Sequence, residues 1–142
     1  MTTAVKQSDS NVTQHWSDDK TTITFKMLDS TRLSVDTYIN GNLEVLREWD
    51  KSQTLYTIQD IANPNVTLTP YLKQRLSEVT DFIKTHQIPV RSAIVMENNF
   101  TGQVMQAFGR LFTINAKYLT QVYFTDMSKA QEWINKQQTS MS

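Results

Sequence analysis

Short apolar runs alternate along this chain with longer stretches in which apolar residues recur every three or four positions. The clearest long stretch is PYLKQRLSEVTDFIKTHQ (70–87). Its apolar stripe consists of Leu72, Leu76, Val79 and Ile83. This spacing predicts an amphipathic helix that buries the stripe. Because the shorter runs are typical of buried strands, the alternation restricts the chain to an α/β fold with a largely parallel sheet.

The same criteria divide the rest of the chain into strands and helices. Strands are predicted over 21–28, 32–39, 53–61, 90–97 and 120–126. Helices are predicted over 42–50, 70–87, 99–115 and 127–137, and a strand stays open as the alternative for 42–50. The turn residues at 29–31 make the first two strands a hairpin. The order β-β-α-β-α-β-α-β-α predicts an α/β fold with a five-stranded mixed sheet and helices packed on it.

The two ends of the chain are more polar than its middle. Residues 1–19 are rich in Ser, Thr, Asp and Gln, which predicts a flexible N-terminal arm. Residues 139–142 are predicted to fray. The total of 142 residues suits one domain, which we expect over residues 20–138.

Charge and cysteine content exclude several classes of protein. Fourteen basic residues balance fourteen acidic ones, whereas a nucleic-acid binder draws on a concentrated basic surface. The chain has no cysteine, which excludes disulfides, thiol catalysis and thiolate metal sites. It has no apolar stretch of about 18 residues, and its first residues lack the apolar core of a secretory signal. We therefore expect a cytoplasmic protein that binds neither nucleic acid nor membrane.

The sequence lacks the motifs of common enzyme classes. It contains no Gly-x-Ser-x-Gly, P-loop, Gly-x-Gly-x-x-Gly or metal-ligand pair. Neither His15 nor His86 has a carboxylate or nucleophile at a recognisable spacing, and His86 suits the C-terminal end of a helix. We therefore predict a non-enzymatic protein with no cofactor and no metal.

Polar residues crowd into DIANPNVTLTPY (60–71), between a predicted strand and the clearest helix. Thr69 precedes Pro70 at the start of that helix, where its hydroxyl suits an N-cap. A helix start also favours an anion, and open α/β sheets bind ligands beyond the carboxyl ends of their strands. Both interpretations stay open. The residues predicted to contact a partner or ligand are Asp60, Asn63, Asn65, Thr67, Thr69 and Asn99.

Aromatic residues recur in NFTGQVMQAFGRLF (99–112). Their spacing is typical of a helix that faces the core. The alternative is a pocket for an apolar ligand between this helix and the sheet. The predicted lining residues of that pocket are Phe100, Met105, Phe108 and Phe112.

The closing stretches resemble a known family. RSAIVMENNFTGQVMQAFGRLF reads as a buried strand and an aromatic helix, and QVYFTDMSKAQEWI as a strand and a helix. The second stretch carries Phe124, Asp126, Ala130 and Trp133. Together with the element order, these resemble the STAS (anti-sigma-factor antagonist), SpoIIAA-like family over about residues 20–137. The resemblance implies a SpoIIAA-like fold and a protein partner.

Regulatory members of that family carry Asp-Ser-Ser-Gly, with a serine that a kinase phosphorylates, at the junction that corresponds to residues 60–71. Here that junction has no serine, and Thr67 and Thr69 are the only hydroxyls between Asp60 and Tyr71. The resemblance therefore implies a regulatory or protein-interaction module of STAS-like type. The alternative function is a carrier or sensor of a small apolar or lipid-like ligand. A homodimer is left open.

Overall fold

The computed structural model of this protein describes residues 6–7, 11–100, 114–115 and 118–141. The strands in these ranges are β1 Lys6–Gln7, β2 Val12–Trp16, β3 Thr22–Met27, β4 Leu55–Ile61, β5 Val90–Met96, β6 Ile114–Asn115 and β7 Leu119–Phe124. The helices are α1 Arg32–Glu48, α2 Pro70–His86 and α3 Met127–Met141. Within these ranges, every helix is too short or too polar to span a membrane.

All of the described strands form one mixed sheet, in the order β1-β2-β3-β4-β5-β7-β6. β3, β4, β5 and β7 run parallel, and β2 pairs antiparallel with β3. Five of the described strands have five to seven residues each, and the two-residue strands β1 and β6 lie at the edges. The prediction of an α/β fold with a mixed sheet built on five strands is confirmed.

The order of the strands determines where the helices lie. Neighbouring parallel strands follow one another along the chain, and right-handed crossovers place their connecting helices on the same face. α1 and α2 accordingly cover one face, where the main core includes Phe25 and Met96. α3 covers the opposite face, where Ile134 packs with Ile58 and Val95. Both faces of β4 and β5 are therefore buried.

The first helix replaces a predicted strand. Residues 32–39, predicted as the second strand of a hairpin, form the first half of α1, and most of the predicted helix over 42–50 forms the second half. The buried positions of α1 recur with a helical period: Ser34, Val35, Tyr38, Ile39, Asn42, Leu43 and Leu46. Leu33, a core residue in the strand interpretation, is 58% exposed. The alternation over 32–39 is therefore a fragment of a longer helical pattern.

α1 continues through Asn40-Gly41 and passes close to the sheet there. A Cβ atom at Gly41 would lie 3.2 Å from Cε1 of Phe25, and Phe25 is only 1% exposed. The glycine therefore allows close approach of a helix to the sheet rather than a turn.

The antiparallel partner of β3 comes from the predicted flexible arm. β2 pairs with β3 from Val12 opposite Met27 to Trp16 opposite Ile23, and β1 pairs with β2. The prediction of a loose arm is therefore wrong for residues 12–16 and 6–7. β2 has only one fully buried residue, Val12, which explains its polar composition. Trp16 stacks on Trp49 after the end of α1, with 5.9 Å between the ring centroids.

The last helix is longer than predicted. α3 extends to Met141, so the predicted helix end at 137 is wrong. The predicted frayed tail over 139–142 is wrong for residues 139–141, which are helical. Gln138 helps to hold this extension, because its Nε2 donates a hydrogen bond to Thr22 Oγ1 at 2.7 Å.

The helix predicted over 99–115 is described only at its ends. Residues 98–100 have helical backbone, and Ile114–Asn115 form strand β6 rather than helix. Residues 101–113 lie outside the described ranges.

Polar side chains hold α1 against α2. Arg75 donates hydrogen bonds to Asp36 Oδ1 at 3.1 Å and to Asn40 Oδ1 at 2.7 Å, and Tyr71 donates to the same Asp36 carboxylate. The Arg75 side chain is 14% exposed, so this ion pair is weakened less by water than a pair on the surface. These contacts hold α1 and α2 together as the pair of helices that covers one face of the sheet.

The close approach of α1 to the sheet predicts the effect of a larger residue at position 41. Gly41→Val places a branched side chain against Phe25, and overpacking of a buried contact costs about 1–3 kcal/mol. We expect the free energy of unfolding to fall by that amount in urea denaturation. Arg47→Val, at an exposed position of the same helix, is the control and should cost no more than about 0.5 kcal/mol. Equal losses in both variants would contradict the role of the Phe25 contact.

Candidate functional site

The predicted contact segment, residues 60–71, follows β4 and forms local turns. Asp60 Oδ1 accepts a hydrogen bond from the Ala62 amide at 3.2 Å, and Asn63 Oδ1 accepts one from the Asn65 amide at 2.8 Å. In such Asx turns the side chain takes the place of a backbone acceptor. Asp60 and Asn63 thus each use one oxygen within the segment, and Asn65 is exposed.

The two threonines of the segment have different partners. Thr69 is the N-cap of α2, and its Oγ1 accepts from the Leu72 amide at 3.0 Å, so the predicted cap is confirmed. Thr67 contacts the loop between β3 and α1. Its amide donates to Ser30 Oγ at 3.0 Å, and the two hydroxyl oxygens are 3.2 Å apart. The contact segment is therefore joined to the start of α1.

Asp29 organises the start of α1. Its Oδ2 accepts from Asn11 Nδ2 at 2.7 Å, and its Oδ1 accepts from the amide and the hydroxyl of Thr31 at 3.2 and 3.0 Å. Hydrogen bonds lower the pKa of Asp29 to about 2, with the largest effect from the Ser34 side chain and the next largest from Asn11. Thr31 caps α1 by accepting from the Ser34 amide at 3.3 Å. The sequence pattern misses this cap, although a threonine directly before a helical period is its usual signal.

The remaining predicted site residues follow the next strand. Asn99 is exposed and Phe100 is buried in the helical backbone after β5. Ile61 and Met96 are neighbours in the parallel register of β4 and β5. Asn99 therefore follows the same edge of the sheet as the contact segment. The other residues of the predicted apolar pocket, Met105, Phe108 and Phe112, lie outside the described residues.

A row of polar side chains that the sequence pattern does not predict crosses the face of the sheet that α1 and α2 cover. Thr57 of β4, Ser92 of β5 and Gln121 of β7 are neighbours in the strand register. Thr57 and Ser92 are buried, and Thr57 Oγ1 donates to Ser92 Oγ at 2.7 Å. Strands of a parallel sheet that is covered on both faces are normally almost continuously apolar. The available signal was a polar residue at an inward-facing position in each of three neighbouring strands.

α1 forms a second polar group beside this row. The Tyr38 hydroxyl donates to Gln59 Oε1 at 2.6 Å, and Gln59 Nε2 donates to Asn42 Oδ1 at 2.8 Å. Asn42 Nδ2 donates in turn to the Tyr38 carbonyl at 2.9 Å. Burial raises the pKa of Tyr38, and the nearby Asp60 and Tyr123 raise it further, so the phenol stays protonated and donates. This network anchors α1 to β4 through hydrogen bonds in the core.

A cavity of about 120 Å³ lies between the sheet and the α1–α2 pair. Much of its wall is apolar, with contributions from Phe25, Leu46, Leu76, Val79, Ile94, Met96 and Phe100. The polar row and Tyr123, whose pKa is raised by burial, line the sheet side. Lys73 is the one charged residue among the described residues of the wall. The volume is comparable to that of an engineered cavity of about 150 Å³ that binds benzene in another protein.

Gln121 brings a hydrogen-bond acceptor to the wall of this cavity. Its side-chain oxygen, Oε1, is buried and has no hydrogen-bond partner within the described part of the chain, and the residue lines the cavity. An unpaired buried acceptor costs about 1–3 kcal/mol. A bound molecule that donates a hydrogen bond to this oxygen would offset that cost.

Two further findings concern the identity of the site. In the described ranges, no group of three or more His, Asp or Glu residues is placed to hold a metal ion. Comparisons with protein-family models, with curated proteins and with solved structures found no match to this chain.

The cap of α2 predicts the effect of changing Thr69. Thr69→Ala removes the oxygen that accepts from the Leu72 amide, and we expect the free energy of unfolding to fall by about 1 kcal/mol. Thr69→Ser keeps a hydroxyl at the cap and should stay close to the original protein. Denaturant titration of both variants measures the difference. A loss of the same size in Thr69→Ser would contradict the capping role.

The lowered pKa of Asp29 predicts an acid-sensitive contribution to stability. Since the folded-state pKa is about 2 and the ordinary value is 3.8, the contribution is complete above the ordinary pKa and disappears as the pH falls through the folded value. We expect the stability difference between the original protein and Asp29→Asn to shrink between pH 4 and pH 2. Asp81→Asn, at an exposed position of α2, is the matched control. A difference that is independent of pH in this range would contradict the prediction.

Proposed function

We propose that this protein is a carrier or sensor of a small, mainly apolar molecule, which binds between the sheet and the α1–α2 pair. The cavity of about 120 Å³ is the observation that carries the proposal. Protein interiors are close-packed, so an unfilled volume of this size between a sheet and two helices is unusual. A bound apolar molecule would fill it and gain contact with the wall.

The composition of the wall supports the same proposal. Small-molecule sites are usually apolar hollows with a few placed polar groups that orient the ligand. Here apolar residues of α2, including Leu76 and Val79, face the polar row on the sheet. Strand register positions the polar row. The contacts of Arg75 with α1 position the two helices that cover it. A ligand would therefore meet groups that are already oriented, which lowers the entropy cost of binding.

The protein-interaction function implied by the STAS-like resemblance is the second candidate. Leu33 is exposed at the start of α1, beside the loop whose Ser30 contacts Thr67. This exposed side chain favours a contact surface near segment 60–71. A single exposed leucine is common on protein surfaces, so it supports this function less strongly than the cavity supports ligand binding. Membership of the STAS family and a cytoplasmic location stay predictions.

Titration with toluene tests the proposed function. Toluene is a single apolar ring, and a cavity of this volume is suited to such a ring. We expect saturable binding, with NMR amide shifts concentrated on α2, β4 and β5. At a free concentration of about ten times its Kd, toluene should raise the free energy of unfolding by about 1.4 kcal/mol.

Two phenylalanine variants locate the binding. Val79→Phe places a ring into the cavity and should abolish the toluene-induced shifts. Val122→Phe makes the same change on a strand residue that is not part of the described cavity wall, and it should bind toluene normally. Absence of toluene binding to the original protein, or undiminished binding to Val79→Phe, would overturn the proposed function.

A further inference from the structure

The polar row offers a hydrogen-bond donor and an acceptor side by side at the cavity wall. Thr57 and Ser92 share one hydrogen bond at 2.7 Å. A hydrogen bond between two hydroxyl groups uses the proton of only one of them, so the proton of the other hydroxyl stays available to donate. The neighbouring acceptor is Gln121 Oε1, which has no partner within the described part of the chain. Ser92 and Gln121 are neighbours on adjacent parallel strands, which lie about 4.8 Å apart.

The hydroxyl protons on the opposite wall are already used. On α2, Ser77 Oγ donates to the Lys73 carbonyl at 3.4 Å, and Thr80 Oγ1 donates to the Ser77 carbonyl at 3.0 Å. The buried acceptor that lacks a partner among the described residues is therefore on the sheet side, whereas the α2 side offers apolar contact through Leu76 and Val79. A molecule bound between them needs one polar end and one apolar body.

The charge of the molecule is restricted as well. Lys73 is the one charged residue among the described residues of the wall, and the polar row itself contains only hydroxyl and amide groups. An ionised group placed at the row would lose its water without gaining a counter-charge there, which is strongly unfavourable. A neutral hydroxyl, in contrast, both donates and accepts one hydrogen bond or more, as the row requires.

We propose that the ligand of this cavity is a small uncharged alcohol or phenol whose hydroxyl group binds between Ser92 and Gln121. Its hydroxyl donates to Gln121 Oε1 and accepts from the Thr57–Ser92 pair, and its carbon body lies against the apolar side chains of α2. This inference rests on the proposed function, because it assigns the chemical class of the ligand in the same cavity.

The test compares phenol with toluene at pH 7, because the two rings have nearly the same size and phenol is uncharged at this pH. Both are titrated against the original protein and against Gln121→Met, which keeps the side-chain length and removes the acceptor. We expect the ratio of phenol affinity to toluene affinity to fall at least about 10-fold in Gln121→Met, equivalent to about 1.4 kcal/mol. Toluene affinity itself should fall by less than about 2-fold. Benzoate, which carries a charge, should bind the original protein at least about 10-fold more weakly than phenol.

Gln131→Met, at an exposed position of α3, is the matched control and should leave the phenol-to-toluene ratio unchanged. If Gln121→Met fails to fold, the ratio of phenol to anisole in the original protein replaces it, because anisole accepts but does not donate. A phenol-to-toluene ratio that is equal in the original protein and Gln121→Met would overturn the inference, as would anisole binding as tightly as phenol. Either result with normal toluene binding leaves the proposed function in place. If neither ring binds, the proposed function fails together with the inference.

Discussion

Strands β4 and β5 are covered by helices on both faces, and the rest of the structure depends on this double burial. A polar side chain that points into either layer leaves water and needs a partner inside the protein. Gln59 is satisfied by Tyr38 and Asn42 of α1, and Thr57 by Ser92 of the next strand. These hydrogen bonds are specific in direction, unlike apolar contacts, and they therefore determine how α1 lies over the sheet.

The same burial separates two regions with different chemistry. At the carboxyl-terminal edge of β4 and β5, the polar residues of segment 60–71 form turns and the cap of α2. Thr69 is the capping residue. In the interior, the polar row faces apolar residues of α2 across a cavity. A molecule in that cavity would meet hydrogen-bonding groups held by three neighbouring strands, and such pre-organisation is what makes a small site selective.

Elements that carry their own complete signal are predicted well from the sequence. The helix predicted over 70–87 is found as Pro70–His86, and the strands predicted over 53–61 and 90–97 are found as Leu55–Ile61 and Val90–Met96. The pattern misassigns α1 because a short alternating run satisfies the period of a strand as well as part of a helical one. It also misses β2, because a strand near the sheet edge needs few apolar residues, and Val12 is its one fully buried position.

The sequence by itself determined the α/β class and the clearest helix and indicated the cap at Thr69, because apolar periodicity and capping are properties of residues close together in the chain. Only the tertiary structure decided that Thr57, Ser92 and Gln121 form one row and that a cavity faces them. Strand register and the height of α1 and α2 above the sheet depend on contacts between residues far apart in the chain. No local pattern records those contacts, and so the candidate site could be located only after the layers were assembled.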